Sequence, residues 1–338
     1  MTKQKNNPFW HGTPVPPEHF LGREYELSQI TGCILTGQST AITGSPKCGK
    51  TSILQYLQQH ESQQSLYREN NKQIIFSYLD AYSWESELKV EQFWEMILRP
   101  LAELFTKSSQ TDAENSQSKD DPLYQTYVDC KKDHFSSSYL LEKFITQMGK
   151  ENKRLILIVD GFDAVLDNPS KCLNASFFGN LRTLASRSGG SFALLISLNK
   201  PLSNFQKEVQ KLTKTNAPYF NFIYEVRIGA FSEEVIRILL KKGEHCFEEG
   251  EESDYYHLIR EIAGGHPYLL QLAASMVWEK CEQSQFSKKT IVVDDIIKDF
   301  FYKVEMTLSE IWQSWPGGFN EGIKRYFEKA TEHRCRRT

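Results

Sequence analysis

Residues 44–51 read GSPKCGKT, and no other stretch of the chain restricts its fold so tightly. Gly44, Ser45, Pro46, Lys47, Cys48, Gly49, Lys50 and Thr51 fit the pattern G-x-x-x-x-G-K-[ST], in which glycines let successive backbone N–H groups turn inward around phosphate oxygens. Such a loop works only when a strand delivers it and a helix leaves it, because the free N–H groups of the helix start complete the cradle. Both flanks comply. STAIT (39–43) suits a short buried strand, and TSILQYLQQH places Ile53, Leu54 and Leu57 on one helical face. In this setting Lys50 is expected to reach the β- and γ-phosphates of a nucleotide, and the Thr51 hydroxyl to ligate Mg²⁺.

The rest of the chain repeats the alternation that such a loop requires. IIFSYLD (74–80), LILIVD (155–160), FALLIS (192–197) and FIYEVRI (222–228) read as further strands with helical patterns between them. Several are continuous apolar runs, as strands covered on both faces must be. The predicted fold is therefore α/β: a P-loop NTPase with a five-stranded, mainly parallel sheet between helices. Residues 1–19, rich in proline, are expected to be irregular, and 20–230 to form the NTPase domain. Pro100 should kink or divide the amphipathic VEQFWEMILRPLAELF. TKSSQTDAENSQSKDDP (106–122) reads as a flexible insertion loop. From Ser232 the pattern is wholly helical. Ser232 caps a first helix, a second lies near Tyr255–Ala263, and a third opens at Pro267, giving a helical domain over 231–285 and a helical C-terminal segment over 286–338.

Composition removes several classes of function. At 338 residues and a formal charge of −3, the chain carries no excess of basic charge for a nucleic-acid tract or a membrane surface. No apolar run approaches the ~18–20 residues that span a bilayer, and the N-terminus lacks an apolar signal core, so a cytoplasmic protein is expected. The seven cysteines form no C-x-x-C pair, and neither a zinc site nor a disulfide framework is indicated. Cys48 reads as a tolerated variable position of the loop, although a thiol there could be partly exposed.

LILIVDGFD (155–163) supplies the metal-side carboxylate. Asp160 ends an aliphatic strand roughly a hundred residues after the loop, where a group acting on Mg²⁺ belongs. Many ATPases of this type carry glutamate next, to polarise the attacking water; here the residue is Gly161. Asp163 is the remaining acid. In an extended strand it faces away from Asp160, and it approaches only if the chain turns after Gly161, so its expected part is to orient neighbouring loops and its catalytic candidacy is weak. Slow or absent hydrolysis follows.

Five segments in this order, FLGRE (20–24), GSPKCGKTS (44–52), LILIVDGFD (155–163), FFGNLRTLA (177–185) and GGHPYLLQLA (264–273), resemble the STAND class of AAA-like signal-transduction ATPases, in particular bacterial forms with an F-x-G-R-E element. The weaker PYFNFIYEVRIGAFSEE (218–234) adds to the likeness. The resemblance implies a switch controlled by ATP or ADP with Mg²⁺. It places Phe20, Leu21, Gly22 and Arg23 beside the adenine and extends the phosphate loop to Ser52. It makes the helical domain a lid whose His266 and Pro267 read the nucleotide state, His266 being equally readable as a capping or packing histidine. It offers Ser197 or Asn199 as the polar sensor near the γ-phosphate, and raises Arg182 from a surface arginine to a candidate for contact with phosphate or a neighbouring subunit. The C-terminal TLSEIWQSWPGGFNEGIKRYFEKA resembles the start of a winged-helix module; with the chain stopping at Thr338, a truncated derivative or a separate effector polypeptide is expected. Partners would be the nucleotide and, on activation, a second copy or an effector. Two other functions share these motifs. One is a DNA-engaging AAA ATPase of the origin-recognition or transposition-regulator kind, disfavoured by the acidic balance. The other is a small-molecule phosphotransferase, for which no catalytic base or substrate pocket can be located.

Overall fold

The computed structural model describes residues 6–59, 66–67, 72–111, 121–167, 169–170, 172–243, 254–287 and 293–314. The chain forms two compact units. The sheet unit comprises Pro16–Gly44 and Lys50–Ile228; the helical unit comprises the described residues of Met1–Val15, Ser45–Gly49 and Gly229–Thr338.

In the sheet unit, β1 (Thr40–Thr43), β2 (Gln73–Asp80), β3 (Lys153–Asp160), β4 (Phe192–Leu198) and β5 (Tyr224–Arg227) are ordered β2-β3-β4-β1-β5. Every pairing is parallel. The register brings the strand ends level: Asp80 pairs with Asp160, and Thr43 with Leu198. The segments that follow β1, β2, β3 and β4 therefore leave one edge of the sheet together, where open α/β sheets hold their ligands. Each residue of β4, and all but the first of β3, is buried, in keeping with their uninterrupted apolar sequences.

Helices cover this sheet: α1 (Glu24–Thr36), α2 (Lys50–Gln58), α3 (Val90–Thr111), α4 (Pro122–Lys132), α5 (Ser138–Lys150), α6 (Ala175–Arg187) and α7 (Leu202–Thr213). Local chemistry sets several starts. Asp121, Ser137 and Asn174 each accept a hydrogen bond from a backbone N–H of the first turn of α4, α5 and α6. Along α5, Leu141, Phe144, Ile145 and Met148 recur at helical spacing and are all buried. Two expectations are corrected here. α3 is not divided by Pro100, because Phe93, Trp94, Ile97, Leu98 and Leu101 around it are almost fully buried and their packing outweighs the lost hydrogen bond. It also continues to Thr111, so the first part of the polar stretch 106–122 is helical; residues 112–120 lie outside the described residues.

One buried cation joins three parts of the sheet unit. Arg154, on β3, donates through Nη1 to the carbonyls of Ile34 and Leu35 at 2.6 Å each and through Nε to the carbonyl of Gly190. The first two are among the last four carbonyls of α1, where positive charge is also favoured by the helix dipole; that of Ile34 accepts from the N–H of Gly37 as well. Gly37 closes that helix in the left-handed conformation, and a Cβ on it would overlap the Gly190 carbonyl. Burial pushes the pKa of Arg154 down from its ordinary value.

In the helical unit, α8 (Glu233–Lys241), α9 (Asp254–Ala263), α10 (Pro267–Ser287) and α11 (Val293–Ser314) pack around Ile236, Leu239, Ile259, Leu270, Val277, Phe300 and Val304. Ser232 caps α8 by accepting from the N–H of Val235 at 3.4 Å. Residues 6–16 lack regular structure, yet they are anchored. Phe9 is buried, Asn7 Nδ2 donates to Ser275 Oγ at 2.8 Å, and the N–H of Trp10 donates to Gln271 Oε1 at 3.0 Å. The break expected at Pro316 lies outside the described residues. Among the described residues no helix is long and apolar enough to cross a membrane.

Replacing Arg154 by Met removes its bonds to three carbonyls, of which that of Ile34 keeps the N–H of Gly37 at 3.2 Å. The expected loss is about 3 kcal/mol or more of unfolding free energy, read from the urea midpoint at unchanged m-value. A cost below about 1 kcal/mol would show that the three bonds add nothing beyond those of an ordinary surface side chain.

Candidate functional site

On the sheet side the site is organised around one carboxylate. Asp160 ends β3 and is largely buried. Its Oδ2 accepts from Thr51 Oγ1 at 2.7 Å and from the Tyr78 hydroxyl at 2.9 Å, while its Oδ1 accepts from Ser197 Oγ. Ser197 Oγ in turn accepts from the N–H of Gly161 at 2.7 Å. A carboxylate removed from water needs such donors, and charge-assisted bonds of this kind are strong. Burial pushes the Tyr78 phenol above its ordinary pKa, and the charge of Asp160 beside it adds to the effect. Lys50, also buried, donates from Nζ to the carbonyl of Gly44 at 2.8 Å, so its ammonium rests on the loop's own backbone. Ser52 is buried one residue beyond Thr51 on α2.

Gly161 adopts a left-handed conformation, φ +65°, and the chain turns there into a short 3-10 helix over Phe162–Leu166. Phe162 pins that turn in the core, its ring 5.1 Å from Phe205 and 6.0 Å from Trp84. The turn carries Asp163 inward. Its Oδ2 accepts from the N–H of Asn199 at 3.0 Å, and its Oδ1 is buried with no hydrogen-bond partner among the described residues. Burial raises the pKa of Asp163; the bond from Asn199 and the charges of Lys200 and Lys50 oppose that rise. Asn199 also donates from Nδ2 to the Tyr82 hydroxyl at 3.2 Å. The two sensor candidates thus take different places: Ser197 holds Asp160, and Asn199 joins Asp163 to Tyr82.

Of the FLGRE residues, Phe20 stacks on Tyr56 of α2 with ring centroids 4.6 Å apart. Leu21 and Gly22 follow it, Gly22 being buried. Arg23 is buried, has φ +72°, and pairs with Glu26 at 2.9 Å. Arg182 is half-buried on α6, with no side-chain hydrogen bond or ion pair among the described residues.

Within the helical unit, the loop tip Ser45–Gly49 is held by side chains from two helices and the turn before one of them. His266, just before Pro267 opens α10, has Nε2 3.1 Å from the carbonyl of Pro46 and 3.4 Å from Ser45 Oγ. A carbonyl only accepts, so the bond to Pro46 requires the proton on Nε2. Lys47, at φ +60°, donates from Nζ to Thr307 Oγ1 at 2.7 Å and lies 4.4 Å from the centroid of the Tyr268 ring, a cation–π contact. Cys48 is buried rather than partly exposed.

Sequence reasoning missed Tyr78, Tyr82, Tyr268 and Thr307. The alternation of IIFSYLD places Tyr78 on the same face as Asp80, which was a signal; nothing in the sequence pairs Lys47 with a residue 260 positions away. Among the described residues no group of three or more His, Cys, Asp or Glu is placed to hold a metal ion. Thr51 and Asp160 nonetheless fit Mg²⁺, a hard cation that takes one or two protein oxygens and completes its shell with phosphate and water.

The strand order, the loop and Asp160 define a P-loop NTPase-like fold. The chain belongs to the AAA-like domain family, whose model matches residues 17–314. No curated protein matches it. Among solved structures it is similar to the Walker-type ATPase PABY2304 of Pyrococcus abyssi, with 14% identity, a TM-score of 0.55, and coverage of 92% of this chain and 78% of that one. It is also similar to the ORC2 protein of Aeropyrum pernix in its ADPNP–ADP complexes (15% identity, TM-score 0.50, coverage 83% and 68%). Drosophila ORC bound to DNA gives 12% identity, a TM-score of 0.50, and coverage of 94% and 77%. At such identities the likeness concerns the fold alone.

Because folding raises the pKa of Asp163, its stabilising effect is complete below the unfolded carboxylate value of about 4 and is lost as pH rises through the folded value. Asp163→Asn keeps an acceptor for Asn199 without the charge. Its thermal-unfolding midpoint should therefore gain on that of the native chain between about pH 4 and pH 7. A difference that stays constant across this range would contradict the burial cost.

Proposed function

We propose that this chain is a nucleotide-controlled switch of the STAND type, which binds ATP or ADP with Mg²⁺, hydrolyses slowly or not at all, and couples the bound state to self-association or to an effector. The observation that carries this reading is the 2.7 Å bond between Thr51 and Asp160 beside Lys50, with glycine following the acid. Lys50 has a carbonyl to leave and a phosphate to reach; the backbone N–H groups from Gly44 to Thr51 supply the remaining donors. Magnesium, when bound, would neutralise charge on the β- and γ-phosphates. Thr51 and Asp160 would orient it, and Tyr78 and Ser197 would hold Asp160 in place. The residue directly after Asp160 is Gly161, which offers no carboxylate to take a proton from water, and Asp163 accepts from the N–H of Asn199 through one oxygen while its other oxygen is buried without a partner among the described residues. Positioning without a base supports binding far better than turnover.

The ties from His266 and Lys47 to the loop tip support coupling. Phosphate entering the loop would alter the backbone that His266 grips, and the change would pass to α10 and α11. A DNA-engaging AAA ATPase is the second reading, supported by the likeness in fold to origin-recognition proteins. A salt-dependent DNA-binding titration separates the two, since phosphate contacts give a steep slope and a switch without DNA gives none.

Lys50→Ala is expected to weaken Mg²⁺-dependent ADP binding by about 100-fold, roughly 2.7 kcal/mol, in calorimetry. Light scattering should show the native chain assembling with ATP and not with ADP, and the variant assembling with neither. Unchanged affinity in the variant would remove the site; binding without any change in mass would remove self-association.

A further inference from the structure

The position after Asp160 is vacant of a side chain for a physical reason. A Cβ built on Gly161 would overlap Cε2 of the Tyr82 ring and lie 3.0 Å from Cδ2 and 3.3 Å from Cζ, the carbon that bears the hydroxyl. Tyr82 reaches this point from the short turn Ala81–Ser83 at the end of β2, where Asp80 Oδ1 accepts from the Tyr82 N–H at 3.0 Å. The register that sets Asp80 level with Asp160 places that turn against Gly161. From the next strand, Asn199 Nδ2 donates to the phenol oxygen at 3.2 Å. Three strand ends thus meet at one residue, Asp80 holding its backbone, Asn199 its hydroxyl, and its ring lying where a side chain at 161 would begin. Tyr82 as a residue is 69% exposed, which leaves it within reach of an incoming ligand.

We infer that Tyr82 replaces the side chain missing at 161 and is a nucleotide-selecting residue, its hydroxyl donating to the γ-phosphate of a bound nucleoside triphosphate. This rests on the nucleotide-binding reading above. The chemistry differs from that of a carboxylate in a definite way. A carboxylate repels the γ-phosphate and accepts a proton from water. A phenol, with an ordinary pKa of about 10, is neutral at physiological pH and donates. Asn199 occupies a lone pair of the phenol oxygen, which leaves the O–H hydrogen to turn outward. A donor at this place stabilises the intact triphosphate, for which ADP has no counterpart, and provides no base for its cleavage. Retention of ATP and the absence of turnover then have one structural cause.

Calorimetry with Mg²⁺ and either ADPNP or ADP tests the assignment. Tyr82→Phe keeps the ring and its packing; it should weaken ADPNP binding by roughly tenfold and change ADP binding less than about twofold. An unchanged ratio of the two affinities overturns the assignment of Tyr82 alone. If the native chain binds neither nucleotide, the nucleotide reading fails and takes this inference with it. A second arm uses hydrolysis. Gly161→Glu combined with Tyr82→Ala should release phosphate, the introduced carboxylate taking a proton from the attacking water as the bond between the γ-phosphorus and the ADP oxygen breaks. Gly161→Glu alone should release less, because the Tyr82 ring crowds the new side chain in addition to the left-handed backbone strain that both variants share. Equal hydrolysis by the single and double variants would show that the ring does not guard this position.

Discussion

The buried carboxylate of Asp160 is the interaction on which the sheet side of the site depends. A charge withdrawn from water at the end of a central strand needs compensation, and three hydroxyls from three different elements provide it: Thr51 from α2, Tyr78 from β2 and Ser197 from β4. Each bond also fixes the element that makes it. The parallel register makes this possible, since it brings the ends of β2 and β3, and those of β1 and β4, to the same level. Ser197 takes the arrangement one step further by accepting the N–H of Gly161, so the residue that closes the carboxylate's shell also holds the turn that follows it.

That turn decides the chemistry. With Gly161 left-handed and Phe162 buried among Trp84, Phe178 and Phe205, the chain folds back, and one oxygen of Asp163 accepts from the N–H of Asn199 at the exit of β4. On the proposed reading, a phosphate loop with Asp160 beside it and glycine in the next position would hold a nucleotide. In the helical unit, the loop tip is gripped by His266 through a backbone carbonyl and by Lys47 through Thr307 and Tyr268. Lys47 therefore has a defined partner well away from the sequence around it. Its ammonium is directed to the helices, whereas that of Lys50 rests on Gly44.

Much of this was legible in the sequence, for local reasons. Strands buried on both faces announce themselves as apolar runs, and a phosphate loop needs its own strand and helix, so the five parallel strands and the Ser232 cap followed from nearest neighbours. A division of α3 at Pro100 did not follow because the rule about proline in helices is local, whereas the burial of Trp94, Ile97 and Leu101 is not. The anchoring of Asn7, Phe9 and Trp10 was hidden for the same reason: their partners are on α10 or in its neighbourhood, far along the chain. Arg154 gave no sign either, since an arginine that caps a distant helix looks like any other arginine in a strand.

By itself, the sequence determined the class of fold, the loop, the acid at Asp160 and the absence of a glutamate after it, because each is written within a few consecutive residues whose spacing the chemistry dictates. Only the tertiary structure decided what surrounds them. It made Tyr78 and Ser197 the partners of Asp160, tied Lys47 to Thr307, and laid the Tyr82 ring over Gly161. Those relations arise from strand order and register, which bring together residues with no mark of one another in the linear chain.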